Sequence, residues 1–188
     1  ALSSVRYIIF EHDHKYVSNR DPSVYPNFVA PDSKKINISF YQNACCVFVL
    51  SKICKKVMIK NIPNVNVYNI GCSLWEKETF KALKTLSTLN KTRDVCILGS
   101  SNPIKGYAQA LSYCKQKNIK PEVIKKQNYQ DFLKVLATCK RFIFLPQVLE
   151  TFSRVCAEAK MLNLQVATTP KKIGFASEDI FKLSGVDL

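Results

Sequence analysis

The sequence predicts an α/β protein: a Rossmann-like parallel sheet with helices on both faces, joined to a partial second half of the same kind. Three observations carry that expectation. Runs that are apolar nearly throughout, such as Cys46–Leu50 (CVFVL), Asp94–Leu98 (DVCIL) and Arg141–Leu145 (RFIFL), suit strands covered on both faces. Segments whose apolar residues recur at helical spacing lie between them. The two kinds alternate along the 188 residues, the order of a sheet built from crossover units.

The elements follow in sequence. Val5–Phe10 (VRYIIF) reads as a strand ending at Glu11-His12-Asp13-His14, and a polar loop punctuated by Asp21-Pro22 and Pro31-Asp32 comes next. Asn37–Ala44 reads as a short helix, Cys46–Leu50 as a strand, and Ser51–Lys60 as a helix capped by Ser51. Val65–Ile70 is a strand closed by Gly71. Trp75–Leu89 is expected to be helical, with Leu74, Phe80, Leu83 and Leu86 along one face. Lys91-Thr92-Arg93 makes the joint, so residues 1–91 are expected to form a partial domain with its linker and residues 92–188 a second domain. In that second block Asp94–Leu98, Glu122–Ile124, Arg141–Leu145 and Gln165–Thr168 read as strands. Lys105–Lys117, Tyr129–Lys140, Glu150–Leu162 and Ser177–Leu183 read as helices. Ligands of such sheets bind at the carboxyl ends of the strands, which directs attention to the loops after Leu98, Ile124 and Leu145.

Composition narrows the classes. With 47% hydrophobic and 11% aromatic residues, wholesale disorder is excluded. The 5 glycines spell neither G-x-G-x-x-G nor a P-loop, which argues against dinucleotide-fingerprint dehydrogenases and ordinary NTPases. The 8 cysteines contain no C-x-x-C pair and the chain has 2 histidines, so no common zinc pattern and no metal site is expected. The thiols read as free and mostly buried, which fits a reducing, cytoplasmic setting. No apolar run reaches the roughly 18 residues of a membrane span, and Ala1–Phe10 lacks the layout of a secretory leader. Against 14 acidic residues stand 28 Lys and Arg, a net charge of +14 that favours anionic partners without choosing among them.

The sharpest chemistry lies after Leu145. Glu150 is expected to open a helix with Glu158 about two turns on, both facing nearly the same side. The N–H groups of Thr151, Phe152 and Ser153 would then point out of the helix start, where the macrodipole favours an anion. A carboxylate one or two turns deeper accepts hydrogen bonds from sugar hydroxyls. The same spacing also fits a helix-terminal charge at Glu150 and a surface ion pair at Glu158.

The E-x7-E spacing after a strand and a Pro loop resembles the motif of the retaining group 1, or family 4, glycosyltransferases of the two-Rossmann-domain GT-B fold. Lys105-Gly106 after DVCIL and the loop GSSNPI resembles the family's K-G pair at the first helix of the donor domain. Tyr129–Leu133 is similar to the helix that starts beside the nucleotide-base pocket. His12-Asp13 resembles the H-D pair of the acceptor half, Ser51 after CVFVL the V-S junction, and Asn69-Ile70-Gly71 the N-G turn before the linker. These similarities come in the family's order and cover nearly the whole chain.

The resemblance implies a hexosyltransferase-like enzyme that moves a sugar from a UDP- or GDP-sugar to a glycan or lipid acceptor, with no tightly bound cofactor. Glu158 would hold the ribose and Glu150 would contact the transferred sugar. Lys105 would sit on the diphosphate, with the helix start at Thr151, Phe152, Ser153 and Arg154 beside it. His12 would face the sugar as an orienting group. The sequence has no D-x-D triplet, in keeping with a metal-independent transfer. It departs from the family at Gly99–Asn102, where an Arg is usual and for which Arg154 or Lys172 would stand in. It departs again where Phe152-Ser153-Arg154 replaces glycines. The acceptor half is expected to be less than half present, which implies a partner chain that completes it. Two other readings stay open: a non-catalytic nucleotide-sugar-binding scaffold, and a basic nucleic-acid-binding α/β protein, although no specific nucleic acid is expected. Peripheral contact with an acidic membrane would use part of the positive charge. His14 and Lys15 are expected in a solvated loop, Trp75 as a packing anchor, and Lys55-Lys56, Lys125-Lys126 and Lys171-Lys172 on the surface, where one of Lys125 and Lys126 is within reach of a phosphate or base.

Overall fold

The computed structural model describes residues 5–188, and Ala1–Ser4 lie outside the described residues. The chain forms two units. The first takes the chain through Ser73 together with Val148–Phe152 and Lys171–Glu178; the second takes Leu74–Gln147, Ser153–Pro170 and Asp179–Leu188. The joint expected at Lys91 lies within the second unit.

The first unit is built on a parallel sheet of β1 (Ile8–Glu11), β2 (Cys46–Val49) and β3 (Val67–Asn69), ordered β1-β2-β3. Ile9 pairs with Val47 and Val47 with Val67, so these side chains share one face. Each connection steps the same way across the sheet, and right-handed crossovers then fall on a single face. Burial follows that rule. Ile9, Val47, Val49 and Val67 pack in one core with Tyr41 of helix α1 (Ile38–Gln42) and with Cys54 and Met58 of α2 (Lys52–Asn61). On the opposite face Ile8, Phe10 and Tyr68 are exposed, with Phe48 stacked 5.1 Å from Phe10. Ser51 caps α2 as expected, its hydroxyl accepting from the Cys54 N–H at 3.4 Å.

The second unit holds α3 (Lys77–Leu86), β4 (Arg93–Leu98), α4 (Tyr107–Gln116), β5 (Glu122–Ile124), α5 (Tyr129–Ala137), β6 (Cys139–Phe144), α6 (Arg154–Met161) and β7 (Gln165–Thr168). Its sheet is parallel in the order β5-β4-β6-β7. The step from β4 to β5 runs one way and the step from β5 to β6 the other, so crossovers change face and both sides are covered. Val95, Ile97 and Ile143 pack with Ala110 and Cys114 of α4. Cys96, Phe142 and Phe144 point the other way and are equally buried, as are Leu133, Leu136 and Cys156 on α5 and α6.

The structure departs from expectation at four places. Helix α3 begins at Lys77, which leaves Leu74 outside it and 84% exposed. Helix α4 begins at Tyr107, and Lys105 lies in the preceding 3-10 turn Pro103–Lys105. Helix α6 begins at Arg154, not Glu150. In place of a helix over Ser177–Leu183 the chain makes 3-10 turns, Phe175–Ser177 and Asp179–Lys182. Long-range bonds explain the last: Ser177 Oγ accepts from the Ile53 N–H at 3.1 Å, and the Glu178 carboxylate accepts from the Lys52 N–H at 2.5 Å. Those bonds hold Ser177 and Glu178 against the start of α2 and override local helix propensity. All eight cysteines are free and five of them are buried. Among the described residues no helix is long and apolar enough to cross a membrane.

Candidate functional site

Two groups of the expected residues form, one in each unit. In the first unit Glu150 does not open a helix. Its backbone bridges Ile173 in parallel, with its N–H donating to the Lys172 carbonyl at 3.0 Å and its carbonyl accepting from Gly174 at 2.9 Å. Glu150 and Glu158 therefore do not share a helix face. Thr151 Oγ1 donates to the His12 carbonyl at 2.9 Å, and Phe152 is buried with its ring 5.2 Å from that of Phe175. His12 itself is exposed. Gly174 is required there, since a Cβ would lie 1.9 Å from the Thr151 carbonyl oxygen.

His14 corrects the expectation of a solvated loop. It is buried, with Nδ1 3.0 Å from the Tyr16 hydroxyl. Burial lowers the pKa of its imidazole despite the carboxylates of Glu11, Asp21 and Asp13. Neighbouring Cys54 is pushed up to about 12, mainly by burial, so this thiol is inert. Nearby, the Tyr41 hydroxyl donates to the Glu11 carboxylate, and the Tyr41 ring packs edge-on against that of Tyr16.

In the second unit the loops at the carboxyl ends of the strands converge. Gly106 adopts a φ of +70°, and a Cβ on it would lie 1.7 Å from the carbonyl oxygen of Leu145, just past β6. The Gln147 N–H donates to the Ile104 carbonyl at 2.8 Å. Only glycine permits this contact, and it fixes the half-buried Lys105 beside the loop that leads to α6. Ser153 caps α6 with φ +75°, and its buried hydroxyl has no hydrogen-bond partner. The first N–H groups of α6 belong to Arg154 and Val155; those of Thr151 and Phe152 lie ahead of it.

Glu158, one turn into α6, is 3% exposed. Its Oε1 accepts from the Tyr129 hydroxyl at 2.8 Å and from Trp75 Nε1 at 2.9 Å, with Arg154 Nε at 3.8 Å. The Arg154 guanidinium lies 5.4 Å from the centre of the Trp75 ring. Burial, and the bond to Glu158, push the Tyr129 phenol above its ordinary range, so it donates at neutral pH. Leu74, Trp75, Glu76, Thr79, Tyr129 and Arg154 line a cavity of about 480 Å³ beside this carboxylate. Lys125 and Lys126 are exposed. The sequence reads Trp75 as a packing anchor at the start of a helix; its hydrogen-bond partner lies 83 residues away, and the one available signal is that it is the lone Trp of the chain.

No family model matches the chain, and no curated protein matches it in sequence. The pneumococcal O-GlcNAc transferase GtfA, solved in complex with UDP and GlcNAc, is similar in structure with a TM-score of 0.55 at 10% identity. A structure of the GtfA/B complex gives 0.50 at 11% identity. The likeness is one of fold. It covers 89% of this chain and 38% of either neighbour, so the chain spans well under half the length of the glycosyltransferase chains it resembles. The parallel Rossmann-like sheets predicted from the sequence are thus a fold that the chain shares with these neighbours.

Proposed function

We propose that the second unit binds a nucleoside-diphosphate sugar and that the chain is the donor-binding part of a GT-B glycosyltransferase of the family 4 type. The carrying observation is Glu158: a carboxylate buried one turn into the helix that follows β6, held by hydrogen-bond donors whose side chains line a cavity. In this reading Glu158 takes the ribose hydroxyls. Lys105, Arg154, the Ser153 hydroxyl and the first N–H groups of α6 take the diphosphate. As the bond between the sugar C1 and the phosphate oxygen breaks, the electron pair stays on the diphosphate, and these groups stabilise the growing charge. Lys105 and Arg154 supply that charge without a metal, and the transfer retains configuration as in the resembled family. Glu150 and His12, on the first unit, are the candidate contacts of the transferred sugar, and a glycan or lipid is the acceptor.

Calorimetric titration with UDP, GDP and UDP-sugars tests this. Binding at millimolar affinity or tighter is expected, weakened about tenfold or more by Glu158→Gln and by Lys105→Ala. Equal binding by both variants, or none by the wild type, overturns it. The exposed apolar face of the first sheet favours a second reading, in which the chain binds the nucleotide sugar and scaffolds a partner that completes the acceptor half. Transfer or hydrolysis of the donor sugar by the chain alone decides for the enzyme; binding without turnover decides for the scaffold.

A further inference from the structure

The donors around Glu158 belong to the protein itself, and one of them has the shape of a ligand. The Trp75 indole is a flat aromatic ring that places an N–H on Oε1 of Glu158 at 2.9 Å and lies against the Arg154 guanidinium at 5.4 Å. With the Tyr129 hydroxyl at 2.8 Å, that oxygen has two donors, and the carboxylate is buried behind them, so a ligand that reaches it must move one of them. Trp75 lies between β3 and α3, in a stretch without regular secondary structure, and is only partly buried. Its neighbour Leu74 is almost fully exposed. Beside the cavity the ring meets Glu158, Arg154 and Phe80, whose ring is 5.8 Å away.

We propose that Trp75 is an intramolecular competitor for the ribose subsite, displaced from Glu158 when a nucleoside diphosphate binds. This rests on the donor-site reading above and adds a specificity rule to it. A ligand must replace the hydrogen bond to Glu158 to expel the indole, and a nucleotide offers ribose hydroxyls for that task. Pyrophosphate can meet Lys105 and Arg154 but has no hydroxyl to give Glu158, so it leaves the indole seated on that carboxylate. The apparent affinity for nucleotide is reduced by the fraction of molecules in which the indole is seated.

Trp75 is the single tryptophan of the chain, so its emission reports the site directly. UDP titrated into the full chain is expected to red-shift the emission and raise its quenching by acrylamide, with the midpoint at the calorimetric Kd. Pyrophosphate at the same concentrations is expected to change neither. Trp75→Phe keeps a ring but removes the donor, and should bind UDP about fivefold more tightly by calorimetry. UDP binding with an unmoved tryptophan, or weaker binding by Trp75→Phe, overturns the proposal and leaves the donor site standing. Absence of UDP binding to both proteins overturns the donor site and the competitor together. Should Trp75→Phe fail to fold, the wild-type emission decides alone.

Discussion

The two sheets of this chain are made of the same kind of strand yet end with different surfaces. In the second unit the order β5-β4-β6-β7 reverses direction, helices return on both sides, and Ile97 and Phe142, which face opposite ways, are both fully buried. In the first unit the order β1-β2-β3 never reverses, and an aromatic row of Phe10, Phe48 and Tyr68 remains on an outer face. Strand composition does not distinguish them; topology does. The covered sheet is the one whose loops assemble a buried carboxylate beside a cavity, since a site of that kind needs rigid support beneath it.

Paired substitutions on the two sheets give the largest contrast. Phe142→Ala, in the covered sheet, should cost about 3–5 kcal/mol by denaturant unfolding. Phe10→Ser, on the open face, should cost less than about 1 kcal/mol and reduce self-association on gel filtration. Equal costs would mean that the open face is not open in solution. Next in size is the glycine that seats Lys105. Gly106→Ala combines a left-handed backbone with a collision against the Leu145 carbonyl, at a cost of about 2–4 kcal/mol, and should weaken nucleotide binding in whatever fraction stays folded.

The smallest effect separates the units by pH. Both histidines lie in the first unit, and burial depresses the pKa of His14 in the folded state. The unfolded chain therefore takes up a proton first as the pH falls, so His14 stabilises the fold above its ordinary range and that contribution is lost on acidification. The loss should be read as a falling midpoint of urea unfolding as the pH drops below the ordinary imidazole range. His14→Gln should flatten that slope, and a slope unchanged by the substitution would show that another group sets it.

The sequence made the strands legible because a run such as VCIL or FIF is itself the cause of burial. The resemblance in motif also marked Lys105-Gly106 and Glu158, although Leu145, Tyr129 and Trp75, which they meet in space, are remote from them on the chain. The sequence missed the start of α6 because Glu150 is drawn into a bridge with Ile173, and missed the turns after Phe175 because Ser177 and Glu178 serve as caps for a helix more than a hundred residues earlier. Trp75 was passed over for the same reason: its hydrogen bond spans 83 residues and leaves no periodicity to read. Local chemistry was readable, and contacts made by a single side chain at long range were not.

Hydrogen–deuterium exchange of the intact chain with and without saturating UDP tests the placement of the donor site most directly. Protection is expected in the 3-10 turn at Pro103–Lys105 and in the first turn of α6 from Ser153 to Glu158, with the helices of the first unit unchanged. Protection confined to the first unit, or none in the presence of calorimetrically proven binding, would contradict it.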